Sequence, residues 1–122
     1  MFHRPDVPSV TPREAYAQLS DAPEATLLVD VRNPDEFAQA RIPGSVLMPL
    51  AFLANRVAEL PADRRILLVC RSGDRSTTAT AYLLSRGFDE VANVAGGIIA
   101  WYQAGLPVVT GRPEPGEGEP PR

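Results

Sequence analysis

Ile66-Leu67-Leu68-Val69-Cys70, running straight into Arg71-Ser72-Gly73-Asp74-Arg75-Ser76-Thr77-Thr78-Ala79, is the stretch that decides the fold class. Its first five residues form a short, unbroken apolar run. Such a run suits a strand covered on both faces, as strands of parallel sheets are. A small polar loop follows, and a helix is expected to begin at about Arg75 or Ser76. That helix would carry Ala79, Tyr82 and Leu83 inward and stop at Arg86-Gly87-Phe88, where Gly87 can take the left-handed cap.

Working outward, Leu27-Leu-Val-Asp-Val31 is a second run of the same kind, and Ser9-Val10, Val46-Leu47-Met48 and Val91-Ala-Asn-Val94 are shorter strand candidates. Helix signals lie between them. Thr11-Pro12-Arg13-Glu14 has the order of a capping box, and Asn33-Pro34-Asp35-Glu36 repeats it with acids near the positive end of the helix dipole. Leu50, Leu53, Val57 and Leu60 form one helical stripe closed by Pro61, and a last helix around Ile98 to Ala104 ends at Gly105-Leu106-Pro107. Alternating strands and helices predict an α/β fold: an open, mainly parallel sheet flanked by helices on both faces. In such sheets function gathers at the carboxyl ends of the strands, and Val31 and Cys70 are such ends.

The chain has 122 residues, the length of one domain, and 44% of them are apolar. Residues 7–110 are expected to form the domain. Residues 1–6 and 111–122 are expected to be flexible, since Arg112 to Arg122 holds four Pro, two Gly and three Glu with no apolar side chain to repay ordering. The net charge is −3 and every basic residue is Arg. That balance offers no basic face for nucleic acid and no polybasic membrane anchor, and it excludes lysine Schiff-base chemistry. No run approaches the length of a membrane span and the amino terminus lacks an apolar signal stretch, so a cytoplasmic location is expected. A single cysteine excludes an internal disulfide and a multi-thiolate metal site. The single histidine, His3, sits in the flexible start, so neither a metal cluster nor a Cys–His dyad is expected.

Attention therefore returns to Cys70 and its loop. A short turn centred on Gly73, placed at a helix amino terminus, can point successive backbone N–H groups inward and form an anion receptor. Arg71 and Arg75 add positive charge at its rim, and such surroundings favour thiolate over thiol without any imidazole. Asp74 opposes the effect and is expected to face solvent. An isolated Cys ending an apolar run is more often a buried small hydrophobe. A core position, however, does not require an Arg-Ser-Gly-Asp-Arg loop. Four residues separate Cys70 from Arg75, one fewer than in protein-tyrosine-phosphatase loops, and the tighter ring suits a single sulfur better than a tetrahedral oxyanion. Asp30 and Arg32 leave a neighbouring strand and are expected to support the loop, through an Arg32–Glu36 pair or a buried brace. Trp101 reads as core, and Gly96-Gly97 as a tight strand-to-helix turn. Ser72, Ser76 and Thr77 can offer hydroxyls to the sulfur, and Ser76 can equally cap the helix.

Four segments in order resemble the rhodanese-homology family of single-domain sulfurtransferases. They are Asp30-Val-Arg32-Asn-Pro-Asp-Glu36-Phe37, Ile42-Pro43-Gly44-Ser45, Cys70-Arg-Ser-Gly-Asp-Arg75-Ser76, and Gly96-Gly97-Ile98-Ile-Ala-Trp101 through Gly105-Leu106-Pro107. The resemblance covers nearly the whole expected domain. It implies about five strands, Cys70 as the catalytic residue, and Arg71, Ser72, Gly73, Asp74, Arg75 and Ser76 as the substrate-binding loop. It implies transfer of a sulfane sulfur from thiosulfate or a similar anionic donor to cyanide or a thiol through a Cys70 persulfide, with no metal or organic cofactor. A persulfide carrier serving a protein partner is the alternative, and a phosphatase or arsenate reductase on the same fold is a more distant one. Arg41 stands where the family usually has His, so no imidazole role is implied.

Overall fold

The computed structural model describes residues 6–121. The expected flexible segment 1–6, His3 included, lies outside the described residues apart from Asp6, as does Arg122. In chain order the elements are β1 (Ser9–Val10), α1 (Pro12–Asp21), β2 (Thr26–Asp30), α2 (Pro34–Gln39), β3 (Ala40–Arg41), β4 (Val46–Leu47), α3 (Leu50–Arg56), β5 (Arg65–Val69), α4 (Asp74–Ser85), β6 (Val91–Val94), α5 (Gly97–Gln103) and β7 (Val109–Thr110).

Both expected capping boxes form. Thr11 Oγ1 accepts from Glu14 N at 3.1 Å while Glu14 Oε1 accepts from Thr11 N at 2.8 Å. Asn33 N likewise donates to Glu36 Oε1 at 3.0 Å. The Leu50–Leu60 stripe is an α-helix only to Arg56 and tightens into a 3-10 turn over Val57–Glu59. At the end of α4, Gly87 has φ +91° and Phe88 N donates back to Leu83 O.

One five-stranded sheet runs in the order β1-β6-β5-β2-β4, and each neighbouring pair is parallel. Alternation divides its side chains between two apolar layers. Leu27, Val29, Ile66, Leu68 and Val91 meet Leu53 of α3 and Ala79 and Leu83 of α4. Leu28, Leu67, Val69, Ala92 and Val94 meet Ala15 of α1 and Ile98 and Trp101 of α5. Helices thus cover both faces, which is why every residue of β2 is buried. A buried Leu or Val contributes about 1.5–3 kcal/mol, so these two layers carry the fold. Trp101 is core as expected, its indole N–H donating to Pro107 O at 2.8 Å. Among the described residues no helix is long and apolar enough to cross a membrane.

The antiparallel pair of β3 with β7 carries no sequence signal, since two residues are too few to show a period. It leads to a difference from the expected flexible tail. Arg41 is buried at 2% exposure and, besides Phe37 O at 3.3 Å, finds its partners beyond residue 110: Nη1 donates to Gly111 O at 2.6 Å, Nη2 to Glu117 Oε1 at 3.0 Å, and Nε pairs with Glu117 Oε2. Leu47 N on the outer edge of β4 donates to Gly118 O at 2.8 Å. Composition weighs the apolar surface a segment can bury. This one contributes a carboxylate and carbonyls to a buried cation instead. Deleting residues 111–122 is expected to strand the Arg41 charge and lower Tm by on the order of 10 °C, whereas Glu119→Ala, at an exposed position, leaves Tm nearly unchanged. Thermal melts of both variants check this; equal melting temperatures would show the segment contributes nothing.

Candidate active site

Because all five strands of the main sheet run parallel, their carboxyl ends share one edge. The turns after β2, β5 and β6 meet there. β5 delivers Cys70 to this edge with its side chain still packed in the apolar layer, at 1% exposure. The backbone then turns sharply. Cys70 O accepts from Ile98 N at 2.9 Å and Arg71 O from Ile99 N at 3.2 Å, so both carbonyls satisfy free N–H groups of the first turn of α5. In a trans peptide the following N–H points opposite to the carbonyl, which turns the amides of Arg71 and Ser72 away from α5. Gly73, at φ +116°, completes the turn as the residue capping α4, and its N–H donates to Cys70 Sγ at 3.1 Å.

The helix starts at Asp74, one residue before the expected start, which puts Ser76 in its first turn rather than at the cap. Ser76 is fully buried and its Oγ lies 3.3 Å from Cys70 Sγ, 3.2 Å from Gly73 O and 2.5 Å from Asn93 Oδ1. Thr77 Oγ1 donates to Gly73 O at 2.7 Å and so braces the turn rather than the sulfur. Arg71, Ser72 and Asp74 are exposed, Asp74 as anticipated. A cavity of about 250 Å³ opens beside the loop, lined by Ser9, Ser72, Gly73, Asn93 and Gly96 among others.

Arg75 is one-third exposed and held from across the cleft. Its Nη1 and Nη2 donate to Glu36 Oε1 and Oε2 at 2.6 and 2.8 Å. Of the two alternatives for Arg32, the side-chain pair with Glu36 does not form: the Glu36 carboxylate accepts from Asn33 N–H and turns toward Arg75. Arg32 takes the other expected role. It braces Asp30, with Nε at 3.0 Å from Oδ1 and Nη2 at 2.7 Å from Oδ2, and reaches the Ala40 and Glu36 carbonyls at 2.6 and 3.4 Å. Both partners of that brace are buried. It ties the end of β2 to the junction of α2 with β3, and so fixes the helix that presents Glu36.

The hydrogen bonds from Arg75 hold the Glu36 carboxyl down to about 2, against partial burial, with help from the Asn33 N–H. A folded value below the ordinary 4.5 means the pair contributes stability above about pH 4.5 and loses it as pH falls toward 2. Melts between about pH 5 and 3 are therefore expected to show a shallower acid decline for Glu36→Gln than for wild type. The difference is modest, because solvent screens a pair this exposed. Parallel curves would exclude the pair as a contributor.

Two participants escaped the sequence reading: Glu36 as the partner of Arg75, and Asn93. The available signal for Asn93 was a polar residue inside the otherwise apolar strand Val91–Val94. Among the described residues no three His, Cys, Asp or Glu side chains group as metal ligands.

A family model described as Rhodanese-like domain matches residues 11–104. A protein of Allochromatium vinosum named "Sulfurtransferase" is 45% identical over 96 residues, covering 79% of this chain and 90% of that one. A "Thiosulfate sulfurtransferase GlpE" of Pseudomonas syringae is 37% identical over 78 residues, covering 64% of this chain and 74% of that one. Several further relatives are longer, and the chain spans only 24–48% of them. Among solved structures, a thiosulfate sulfurtransferase of Pseudomonas aeruginosa superposes with a TM-score of 0.78 at 35% identity, covering 87% of this chain and 21% of that one.

Proposed function

The chain belongs to the rhodanese-like domain family, and from that premise we propose that it is a sulfurtransferase working through a persulfide on Cys70. Thiosulfate or a similar anionic sulfane donor enters the cleft, drawn by exposed Arg71 and partly exposed Arg75. The Cys70 thiolate attacks the outer sulfur. The donor's S–S bond breaks, its electron pair leaves on sulfite, and the transferred sulfur remains on Cys70 carrying the negative charge. An acceptor, cyanide or a thiolate, then attacks that terminal sulfur and returns Cys70 as thiolate. This is covalent catalysis with ping-pong kinetics, and it uses no group beyond the chain itself.

The observation that carries the reading is the setting of one buried sulfur, with Gly73 N–H donating to it at 3.1 Å and the Ser76 hydroxyl 3.3 Å away. Preorganised donors of this kind stabilise charge developing at a fixed position. Arg71, Ser72, Gly73, Asp74, Arg75 and Ser76 form the substrate loop in this scheme, and the Asp30–Arg32 brace and Glu36 position its rim. The four-residue spacing from Cys70 to Arg75 speaks against a tetrahedral phosphate.

Incubation with thiosulfate, mercaptopyruvate and glutathione persulfide in turn, followed by intact mass, tests the proposal. Gain of one sulfur, removable by cyanide, is expected from at least one donor. No gain from any of them would defeat it. Slow cyanide turnover with fast transfer to a protein thiol would identify the carrier form of the same chemistry.

A further inference from the structure

Ser76 Oγ has a single proton and three acceptors within reach: Cys70 Sγ, Gly73 O and Asn93 Oδ1. With Oδ1 turned toward it at 2.5 Å, the proton belongs to the carboxamide, the shortest contact, and Ser76 presents only a lone pair to the sulfur. That arrangement suits a Cys70 thiol, which can donate. It does not suit a thiolate or a persulfide, which must accept. A half-turn of the carboxamide exchanges Oδ1 with Nδ2 in the same space. Nδ2 then donates to Ser76 Oγ and releases the hydroxyl proton to the sulfur. The far end of Asn93 can follow, because Nδ2 there faces Ser9 Oγ at 3.4 Å, and a hydroxyl serves equally as acceptor or donor. Ser9, Asn93, Ser76 and Cys70 thus form a hydrogen-bond chain that can run in either direction, and Asn93 and Ser76 are both buried.

We propose that Asn93 is a positioning residue for Cys70 that acts through Ser76, its carboxamide setting whether the hydroxyl proton points at the strand or at the sulfur. This deepens the sulfur-transfer reading and takes its purpose from it: the donor to the sulfur is supplied when the sulfur becomes negative and withdrawn when it is neutral. It also accounts for an Asn in the middle of an apolar strand, a position otherwise unfavourable for it.

The test is a double-mutant cycle on iodoacetamide alkylation of Cys70 at pH 7, which needs no sulfur donor. Asn93→Asp keeps the shape but can only accept, locking the Ser76 proton away from the sulfur. It is expected to slow alkylation roughly tenfold, the size of one charge-assisted hydrogen bond. In the Ser76→Ala background the same substitution is expected to change the rate less than twofold. Equal slowing in both backgrounds would mean the new carboxylate repels the thiolate directly, and no slowing with Ser76 present would mean the chain does not act; either overturns the proposal. Asn93→Ala, which removes the competing acceptor, is expected to slow alkylation less than Asn93→Asp does. A merely structural Asn93 demands the reverse order, Ala worse than the isosteric Asp. Should Asn93→Asp melt below the assay temperature, the same cycle is run in the cold, below its midpoint, with the same expected and overturning results. Sulfur uptake by wild type is followed in parallel: its absence defeats the proposed activity, while the alkylation cycle still decides Asn93.

Discussion

Cys70→Ser is expected to take up no sulfur from any donor and to reduce cyanide-dependent turnover to background, while melting within a few degrees of wild type. The two halves of that expectation have separate causes. A serine hydroxyl does not ionise near neutral pH, and among the described residues there is no imidazole to remove its proton. An alkoxide is therefore out of reach, and an oxygen nucleophile without a base is inert toward sulfane sulfur. The fold should survive because the buried hydroxyl inherits partners already in place, Gly73 N–H and Ser76 Oγ. A polar group that keeps its hydrogen bonds is cheap to bury. Intact mass after thiosulfate, a cyanide assay and a thermal melt check all three parts. Persistent sulfur uptake in the variant would remove Cys70 from the mechanism.

The second large effect is expected at a residue that touches no substrate. Gly97→Ala should cut the rate of sulfur transfer by about a hundredfold or more and lower Tm by on the order of 10 °C. A Cβ at this position would stand 2.4 Å from Arg71 O and 2.5 Å from Cys70 O, and φ is +63°. Those atoms cannot step aside, because Ile98 N and Ile99 N are hydrogen-bonded to the same two carbonyls. Either α5 retreats and loses both bonds, or the Cys70–Arg71 backbone rotates and shifts the turn that brings Gly73 N–H to the sulfur. Gly87→Ala is the control. It shares a positive φ of +91° but meets nothing within 4 Å, so it should lose some stability and keep the activity per folded molecule. If Gly97→Ala retained wild-type turnover, the close approach of α5 would not be what shapes the loop.

These two residues differ in how visible they were. Cys70 stood out at once, because an apolar run ending in Cys and continuing as Arg-Ser-Gly-Asp-Arg has no use in a core. Gly97 was legible as part of a turn, but what it must avoid is the backbone of residues 70 and 71, which lies 26 or more positions earlier in the chain. Asn93 was visible only as an oddity in a strand. Sequence proximity offers pairing with Glu36 as one of two roles for Arg32, whereas the Glu36 carboxylate pairs with Arg75, 39 residues away. The composition of residues 111–122 gives no apolar reason for order, and nothing near Arg41 in sequence shows that its charge is buried and must be met.

What the chain's order of residues determined by itself was everything with a local cause. The period of apolar positions set strands and helices, Thr11 and Asn33 set helix starts, and the Gly73 turn set a helix start beside a cysteine. Tertiary structure alone decided which distant groups surround that turn: the α5 amides that hold its carbonyls, the Ser76–Asn93 contact beside the sulfur, and the acid that faces Arg75. Local signals arise from torsion and periodicity, which act over a few residues. Hydrogen bonds across the sheet edge depend on strand order, and β6, β5 and β2 become neighbours only when the two apolar layers close around them.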